Sequence, residues 1–225
     1  LGVQTYLFSD LRSTPELSFA VRHLNAFAGI VITASHNPKE YNGYKIYDET
    51  GCQCIPEEAA KVVAEVEKVS DELNLTVSDL SVYLDSGMVK MIDEEVDGPY
   101  NEAIINTTFE EVPKNDVCLV YTSLHGTGHI PIKRAFDTLG YQNVHFVTEQ
   151  CNPDPEFTTV PLPNPEDPKV FDMAEKIGAS VNADVLLATD PDADRLGIAV
   201  KKTDNSYQLL NGNITGALMT YYILD

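Results

Sequence analysis

The sequence predicts an α/β protein built as two successive three-layer α/β domains, each with a mixed, mostly parallel sheet. Its 225 residues are enough for two ordinary domains with separate cores. Apolar, strand-like runs alternate with runs of helical periodicity in both halves of the chain, which is the pattern of crossover units. A turn-rich break at residues 112–116 separates the two series. We therefore predict one domain at residues 1–110, a second at 111–210 and the start of a third at 211–225.

The first domain begins with a strand, a helix and a second strand. We expect strands at residues 3–9, 28–33 and 43–47, and helical stretches at 17–24, 56–69 and 86–110. Ser13 or Thr14 can cap the first helix, with Pro15 at its first position and Glu16 completing a capping box with Ser13. The stretch at 56–69 has valines at helical spacing opposite Glu and Lys side chains, so we expect it to pack against a sheet.

The second domain continues the alternation of strands and helices. We expect strands at residues 117–123, 143–147, 183–189 and 197–201, and helices at 132–139, 169–178 and from Gly212 onwards. The proline-rich stretch at 152–168 should run extended over the surface. The His-Gly-Thr-Gly turn at 125–128 lacks the third glycine of a dinucleotide fingerprint and the GK[ST] of a P-loop. We therefore interpret this turn, with its His125, as structural.

The composition argues against several classes of partner. A formal net charge of −20 repels nucleic acid and anionic membranes, because binding to either depends on Lys and Arg that neutralise phosphates. No apolar run approaches the ~20 residues of a membrane span, and the N-terminal residues do not have the pattern of a signal peptide. Four irregularly spaced cysteines fit neither a disulfide framework nor a zinc site, so we expect reduced thiols and a cytoplasmic location. The chain lacks an initiator methionine and opens directly in a strand, so we expect it to be part of a larger protein.

Carboxylates cluster directly after the apolar strand at 183–189. Asp190, Asp192 and Asp194 alternate along the chain, so in an extended loop all three side chains project to one side. Three like charges this close together require a cation, and hard oxygen ligands favour Mg²⁺. Sites of α/β proteins lie at the carboxyl edge of the sheet, where this loop is expected. The loop is therefore predicted to be a magnesium site.

Other interpretations of this aspartate loop are weaker. An EF-hand loop needs Gly at its sixth position and Glu at its twelfth, where this chain has Arg195 and Lys201. A phosphatase of the haloacid dehalogenase type also places two alternating aspartates after an apolar strand, with the first as nucleophile. Its pattern continues to Thr or Val where this chain has Asp194. That phosphatase stays open as a second interpretation, and a solvated acidic turn is the third.

A hydroxyl group follows the buried strand of the first domain at a similar sheet edge. Ser35 lies on a turn shaped by Asn37 and Pro38. A Ser-His hydrolase is one interpretation, but side chains of adjacent residues point apart in an extended chain, which places His36 badly for deprotonating Ser35. No G-x-S-x-G elbow surrounds the serine either. Taken alone, the motif is equally compatible with a turn that carries a capping hydroxyl.

Three stretches of the sequence carry a resemblance to a known family: TASHNP at 33–38, KEYNGYK at 39–45 and DPDADR at 190–195. In these stretches and their order, the chain resembles the α-D-phosphohexomutase family, the phosphoglucomutases and phosphomannomutases. The likeness extends over nearly the whole chain and is greatest to the phosphoglucomutase branch that includes phosphopentomutase-like members. It implies interconversion of hexose 1-phosphate and hexose 6-phosphate through a phosphoserine enzyme and a bisphosphorylated sugar.

The resemblance also implies a role for individual residues. Ser35 is implied as the phosphoserine, with His36 beside it and Lys45 assisting proton transfer. The implied ligands of Mg²⁺ are Asp190, Asp192, Asp194 and an oxygen of Ser35, and Arg195 is implied to contact the substrate. The implied partners are a hexose phosphate substrate and a hexose bisphosphate activator. Residues 1–110 then match an N-terminally truncated first domain, 111–210 the metal-binding second domain and 211–225 the start of the third.

The family's sugar-recognition and phosphate-binding loops lie in its third and fourth domains, and neither is found in this sequence. We therefore expect this chain to bind metal but to catalyse little by itself. Phosphoglucomutase, phosphomannomutase and phosphopentomutase specificities stay open. A magnesium-dependent phosphatase and a non-enzymatic metal-binding module are the alternatives from other classes.

Overall fold

The computed structural model describes residues 2–74, 76–108 and 116–224, and its contacts divide the chain into two compact units. The first unit consists of Leu1–Arg12, Glu16–Val31 and Lys45–Tyr100. The second unit consists of Ser13–Pro15, Ile32–Tyr44 and Asn101–Asp225, so two short N-terminal segments group with the C-terminal half. Residues 112–115 of the predicted break lie outside the described residues, and the domain limits at 110 and 210 stay predictions.

The elements up to residue 105 follow the predicted order, with two additions, a short helix at Leu80–Asp85 and a short strand at Val89–Met91. They are β1 (Thr5–Leu7), α1 (Thr14–His23), β2 (Ala28–Ile32), β3 (Tyr44–Asp48), α2 (Pro56–Val66), α3 (Leu80–Asp85), β4 (Val89–Met91) and α4 (Glu94–Ile105). Strand β1 pairs in parallel with β4, and β2 pairs with β3. The prediction of a helical stretch throughout 86–110 is wrong at β4. This short strand forms through its pairing with β1, a contact distant in sequence that local periodicity does not reveal.

The first unit has a small core. Ala20 of α1 packs with Ile92 and Val96, and aromatic side chains including Phe8 and Phe19 surround them. The prediction that the helix at 56–69 packs against a sheet is wrong, because α2 has no buried residue and Val63 is 51% exposed. Helical spacing gives this segment an apolar face but does not select a partner for it. Among the described residues, the sheets of this unit have only two strands each.

The second unit contains a five-stranded mixed sheet in the order β6-β5-β7-β8-β9. Its elements are β5 (Leu119–Thr122), α5 (His129–Leu139), β6 (Val144–Phe146), α6 (Asp172–Val181), β7 (Val185–Thr189), β8 (Leu196–Lys201), β9 (Tyr207–Leu210) and α7 (Gly212–Leu224). Strands β6, β5 and β7 are parallel to one another, whereas β8 pairs antiparallel with β7 and β9 pairs antiparallel with β8. The predicted α/β class with mixed sheets is confirmed. Strand β9 was not predicted.

The core of the second unit lies against β5 and β7, with Val120, Leu186 and Ala188 fully buried at its centre. The prediction that residues 152–168 run over the surface is partly wrong. Val160 and Pro163 are buried, and Val160 belongs to this core. Neighbouring parallel strands end at the same edge of a sheet. The loops that follow β5 and β7 therefore lie side by side, and this edge carries the candidate site. No helix within the described ranges is both long and apolar enough to cross a membrane.

Candidate metal centre and active site

The aspartate loop directly follows β7 and gathers three carboxylates. Asp190, Asp192 and Asp194 each offer an oxygen, and these oxygens lie within 4.8 Å of one another. Asp190 and Asp192 are buried and Asp194 is exposed. The alternation of aspartates predicted this convergence, but the loop is not extended: Ala193 has a φ of 57°, and its N–H donates to the Asp190 carbonyl over 2.9 Å. A left-handed turn, rather than a pleated strand, brings the carboxylates together.

Asp190 is the most deeply buried of the three carboxylates. Its Oδ1 accepts a hydrogen bond from the Arg195 backbone N–H at 3.0 Å, and the Arg195 Nε lies 3.9 Å from its Oδ2. Burial, and next the charge of Asp192, raise the pKa of Asp190 to about 7. The cluster therefore binds protons at near-neutral pH unless a cation compensates its charge.

The Ser35 loop brings the predicted hydroxyl to the same cluster. The Ser35 Oγ donates to the Asp190 Oδ2 over 2.9 Å, although the two residues lie 155 positions apart. Ser35 itself has a left-handed backbone, with a φ of 53°, and its N–H donates to the Thr33 Oγ1 at 2.9 Å. Gly43 lies against the carbonyl of Thr33, where a Cβ would have no room. The serine loop is thus held from both sides, with its hydroxyl aimed at a carboxylate.

The sequence pattern predicted that the side chain of His36 points away from Ser35, and this prediction is wrong. The His36 Nδ1 lies 3.2 Å from the Ser35 Oγ. The left-handed turn at Ser35 explains the error, because it places two adjacent side chains on the same side of the backbone. Burial, and next the positive charge of Arg195, lower the pKa of His36. The neutral imidazole that results at neutral pH can accept a proton.

Thr14 contacts the aspartate loop and was missed as a site residue. Its hydroxyl donates to the Asp192 Oδ2 at 2.9 Å, and its N–H donates to the Asp192 carbonyl, also at 2.9 Å. The sequence suggested only a helix cap here. Because the two residues lie 178 positions apart, no local pattern connects them.

The turn at 125–128 supports the aspartate loop from the neighbouring strand end. The Thr127 N–H and hydroxyl both donate to the Pro191 carbonyl, at 2.8 and 3.0 Å. Gly126 lies so close to the backbone of Pro191 that a Cβ would overlap it. Both ring nitrogens of His125 lie within hydrogen-bond distance of partners, the Asn152 carbonyl at 3.1 Å and the Thr159 hydroxyl at 2.7 Å. These contacts agree with the structural role predicted for the turn and its histidine.

The two remaining predicted site residues, Arg195 and Lys45, lie on different elements of the chain. Arg195 lies at the end of the aspartate loop with its side chain 48% exposed, so its guanidinium is accessible to an anion. Lys45 lies on β3 and belongs to the first unit, whereas the serine and aspartate loops belong to the second. The proton-transfer role of Lys45 stays a prediction.

The donor set fits a hard divalent cation. Three carboxylates and one serine hydroxyl present only oxygen atoms, and Mg²⁺ prefers oxygen ligands while leaving positions for phosphate or water. Two of the carboxylates are buried next to each other, an arrangement that needs positive charge. No sulfur or imidazole ligand belongs to the group of acidic residues found among the described residues.

Two family models match the chain. Phosphoglucomutase/phosphomannomutase, alpha/beta/alpha domain I, matches residues 1–73, and domain II of the same family matches residues 98–203. The chain is 38% identical over 222 residues to a phosphoglucomutase of Staphylococcus epidermidis, covering 99% of this chain and 40% of that protein. The chain thus spans about two fifths of that relative's length.

The chain also aligns with solved structures of phosphomutases. A structure of a putative phosphomannomutase from Thermus thermophilus aligns with a TM-score of 0.73 and 30% identity, covering 88% of this chain and 42% of that one. An Aspergillus fumigatus N-acetylphosphoglucosamine mutase, solved in complex with glucose 1,6-bisphosphate, aligns with a TM-score of 0.55 over 93% of this chain and 50% of its own. At 17% identity the second likeness shows the fold alone.

Proposed function

Since this chain belongs to the phosphoglucomutase/phosphomannomutase family, we propose that the protein carrying it interconverts hexose 1-phosphate and hexose 6-phosphate by phosphoryl transfer through Ser35. Its relatives include phosphoglucomutases, which are isomerases. The observation that carries this proposal is the 2.9 Å contact between the Ser35 Oγ and the Asp190 Oδ2. It unites a hydroxyl that can carry a phosphoryl group with a carboxylate cluster that can hold a cation.

The proposed reaction has two balanced transfers. In the first, the bond between phosphorus and the Ser35 Oγ breaks, and a bond forms from phosphorus to a hydroxyl of the hexose monophosphate. The proton of that hydroxyl leaves to a base, and the Ser35 oxygen released takes up a proton to become a hydroxyl. In the second, the other phosphate of the resulting bisphosphate returns to Ser35, whose own proton leaves as the new bond to phosphorus forms. The sugar oxygen released at that point takes up a proton, so no group is gained or lost overall.

Residues around Ser35 have chemistry suited to these steps. The His36 Nδ1, 3.2 Å from the Ser35 Oγ, can hold the serine proton because the lowered pKa of the ring keeps it neutral. The half-exposed Arg195 can bind a phosphate group of the sugar with its forked donors. Lys45 is proposed, from the resemblance alone, to assist proton transfer.

Mg²⁺ is the proposed cofactor, held by Asp190, Asp192, Asp194 and an oxygen of Ser35. When bound, it supplies positive charge that stabilises the transferring phosphoryl group. A phosphoserine carries about −1.5 to −2 charge near neutral pH, so beside three carboxylates it would otherwise be repelled. Cation binding and serine phosphorylation should therefore favour each other.

A magnesium-dependent phosphatase is the second candidate, with Asp190 as its nucleophile. Burial argues against it, because Asp190 is 0% exposed and its Oδ2 accepts the Ser35 hydroxyl. Ser35 is half-buried and lies between Asp190 and the base, which suits a phosphoryl carrier.

Phosphoryl transfer through Ser35 can be tested on the protein carrying this sequence at its native length. Phosphorylated at Ser35 and incubated with Mg²⁺ and glucose 1-phosphate, it should yield glucose 6-phosphate, while intact mass follows the phosphoryl group on the protein. Ser35→Ala should abolish isomerisation. If Ser35→Ala instead keeps releasing inorganic phosphate and Asp190→Asn does not, the protein is a phosphatase. If neither product forms, the chain is a binding module.

Mannose and pentose phosphates, assayed in parallel, identify the preferred sugar. This chain alone should show metal binding but little turnover.

A further inference from the structure

We infer that Thr14 is a positioning residue for the metal centre, holding the Asp192 carboxylate in the orientation that faces Asp190 and Asp194. This inference rests on the metal site of the proposed function. Thr14 belongs to the Ser13–Pro15 segment, which groups with the second compact unit although most of its sequence neighbours do not. The side chain thus reaches the aspartate loop from a distant part of the chain.

Two hydrogen bonds connect Thr14 to the same residue. The Thr14 N–H binds the Asp192 main-chain carbonyl, and the Thr14 Oγ1 binds the Asp192 Oδ2, each at 2.9 Å. The first bond fixes the backbone of Asp192, and the second fixes the rotation of its carboxylate. Together they leave the side chain little freedom to turn away from the cluster.

Because both residues are buried, water cannot easily replace the hydrogen bond from the Thr14 hydroxyl to the Asp192 carboxylate. Thr14 is 3% exposed and Asp192 is 4% exposed. Water therefore has little access to the carboxylate oxygen that Thr14 now binds. Loss of the hydroxyl would leave a buried charged oxygen without this donor, which is costly in an environment of low polarity.

Orientation matters here because the carboxylates repel each other. Asp190 receives the Arg195 backbone N–H on Oδ1 and the Ser35 hydroxyl on Oδ2, so donors from its own loop and the serine loop fix it. The Thr14 hydroxyl fixes the Asp192 carboxylate in the same way, by donating to its Oδ2. Hydrogen-bond donors behind ligating groups typically contribute about 10- to 100-fold to metal affinity.

The first experiment measures Mg²⁺ affinity by titration calorimetry on three forms of this chain. Thr14→Val keeps the shape but removes the hydroxyl, and should weaken Mg²⁺ binding about 10- to 100-fold. Thr14→Ser keeps the hydroxyl and should bind within about threefold of the wild type. If Thr14 had only a structural role, Thr14→Val and Thr14→Ser would not differ in Mg²⁺ affinity according to the presence of the hydroxyl.

The matched control is Thr127→Val, which removes a hydroxyl that donates to the same loop but to the Pro191 carbonyl. The Thr127 N–H still holds that carbonyl, so affinity should stay within about threefold of the wild type. The inference is overturned if Thr14→Val binds as tightly as the wild type, or if Thr127→Val loses as much affinity as Thr14→Val. A wild type that binds no Mg²⁺ overturns the metal site itself, which distinguishes the two failures.

A second measurement needs no variant and decides the matter if Thr14→Val does not fold. Coupling is reciprocal, so an ion that depends on the Thr14–Asp192 contact must also stabilise that contact. In the wild type, Mg²⁺ should slow hydrogen exchange of the Thr14 amide. The amide of Ala59, hydrogen-bonded to the Ile55 carbonyl in helix α2, which has no buried residue, serves as the reference, because local opening of an exposed helix does not involve the metal site, and it should not respond. An unchanged exchange rate at Thr14 in saturating Mg²⁺ contradicts the inference.

Discussion

At the scale of single residues, two left-handed backbone positions shape the candidate site. Ser35 and Ala193 have φ values of 53° and 57°. Neither is a glycine or asparagine, the residues that adopt this conformation easily, and such positions cost of order 1–3 kcal/mol and concentrate at functional sites. The turn at Ser35 brings His36 to the hydroxyl, and the turn at Ala193 folds the aspartates together.

The buried carboxylates predict an unusual pH dependence of stability. Burial and Asp192 raise the folded-state pKa of Asp190 to about 7, whereas an unperturbed aspartate titrates near about 4. A group whose folded-state pKa is raised contributes stability below its unfolded pKa and loses it as the pH rises through the folded value. In EDTA, the free energy of unfolding in urea should therefore fall between about pH 4 and about pH 7.

The control for this pH effect is Asp190→Asn, which cannot ionise and should flatten the slope. Excess Mg²⁺ should also offset the loss in the wild type, because it binds the folded state. Asp93 and Asp154 have lowered pKa values, owing first to Ser9 and Thr158 respectively, so their contributions are lost only at more acidic pH. A wild-type slope no steeper than that of Asp190→Asn argues against the raised pKa.

Sequence reasoning found the site residues that repeat a pattern and missed those that depend on tertiary contacts. The three aspartates were predictable because alternating carboxylates after an apolar strand have few structural uses. The Ser35–His36 contact was implied by the resemblance alone, because it depends on a backbone conformation that serine rarely adopts and that local patterns do not reveal. Thr14 was not predictable as a support of Asp192, because its hydroxyl suits a helix cap equally well.

At the scale of elements, the site depends on how closely two loops approach at the ends of β5 and β7. The turn at 125–128 lies directly against the aspartate loop. Gly126 allows this approach, since its missing Cβ leaves space for the backbone of Pro191. Gly128 similarly leaves space beside the hydroxyls of Tyr121 and Thr189, which hydrogen-bond to each other at 2.7 Å. The two glycines of this turn thus serve to pack one loop against another, in agreement with the structural role predicted for it.

Gly126→Ala should displace the aspartate loop. The added methyl group meets main-chain atoms of Pro191, which cannot turn aside as a flexible side chain could. We expect a loss of about 1–3 kcal/mol in the free energy of unfolding, together with weaker Mg²⁺ binding, both measured on the same preparation. Gly216→Ala is the control: nothing lies within 4 Å of its added Cβ, and alanine favours a helix by up to about 1 kcal/mol. Equal stability and Mg²⁺ affinity of Gly126→Ala and the wild type would refute this role.

The elements themselves were predicted best where periodicity is strong and burial is complete. The fully buried β5 and the strand β7 were both expected, because continuous apolar runs between turn signals are typical of central strands. The short strands β4 and β9 were missed, since three or four residues carry too little pattern. The exposed valines of α2 show the opposite error: an amphipathic pattern was present without a burying partner among the described residues.

At the scale of the whole molecule, the chain combines strong acidity with a proposed anionic substrate. Its 35 acidic and 15 basic residues give a net charge of −20, which repels sugar phosphates at a distance. Positive charge must therefore be supplied locally, and Arg195 and a bound cation are proposed to supply it. The chain spans about 40% of the length of its phosphoglucomutase relatives. Sugar choice and full turnover are accordingly expected to depend on the native-length protein.

The Ser35 oxygen and the aspartate loop are proposed to form one ion-binding centre. The most direct measurement is ³¹P NMR of this chain phosphorylated at Ser35, titrated with paramagnetic Mn²⁺ in place of Mg²⁺. An ion held by both groups should broaden the phosphoserine resonance at equimolar Mn²⁺, and the broadening should disappear in Asp190→Asn/Asp192→Asn. A resonance that stays sharp while Mn²⁺ binds the wild-type chain would contradict the claim.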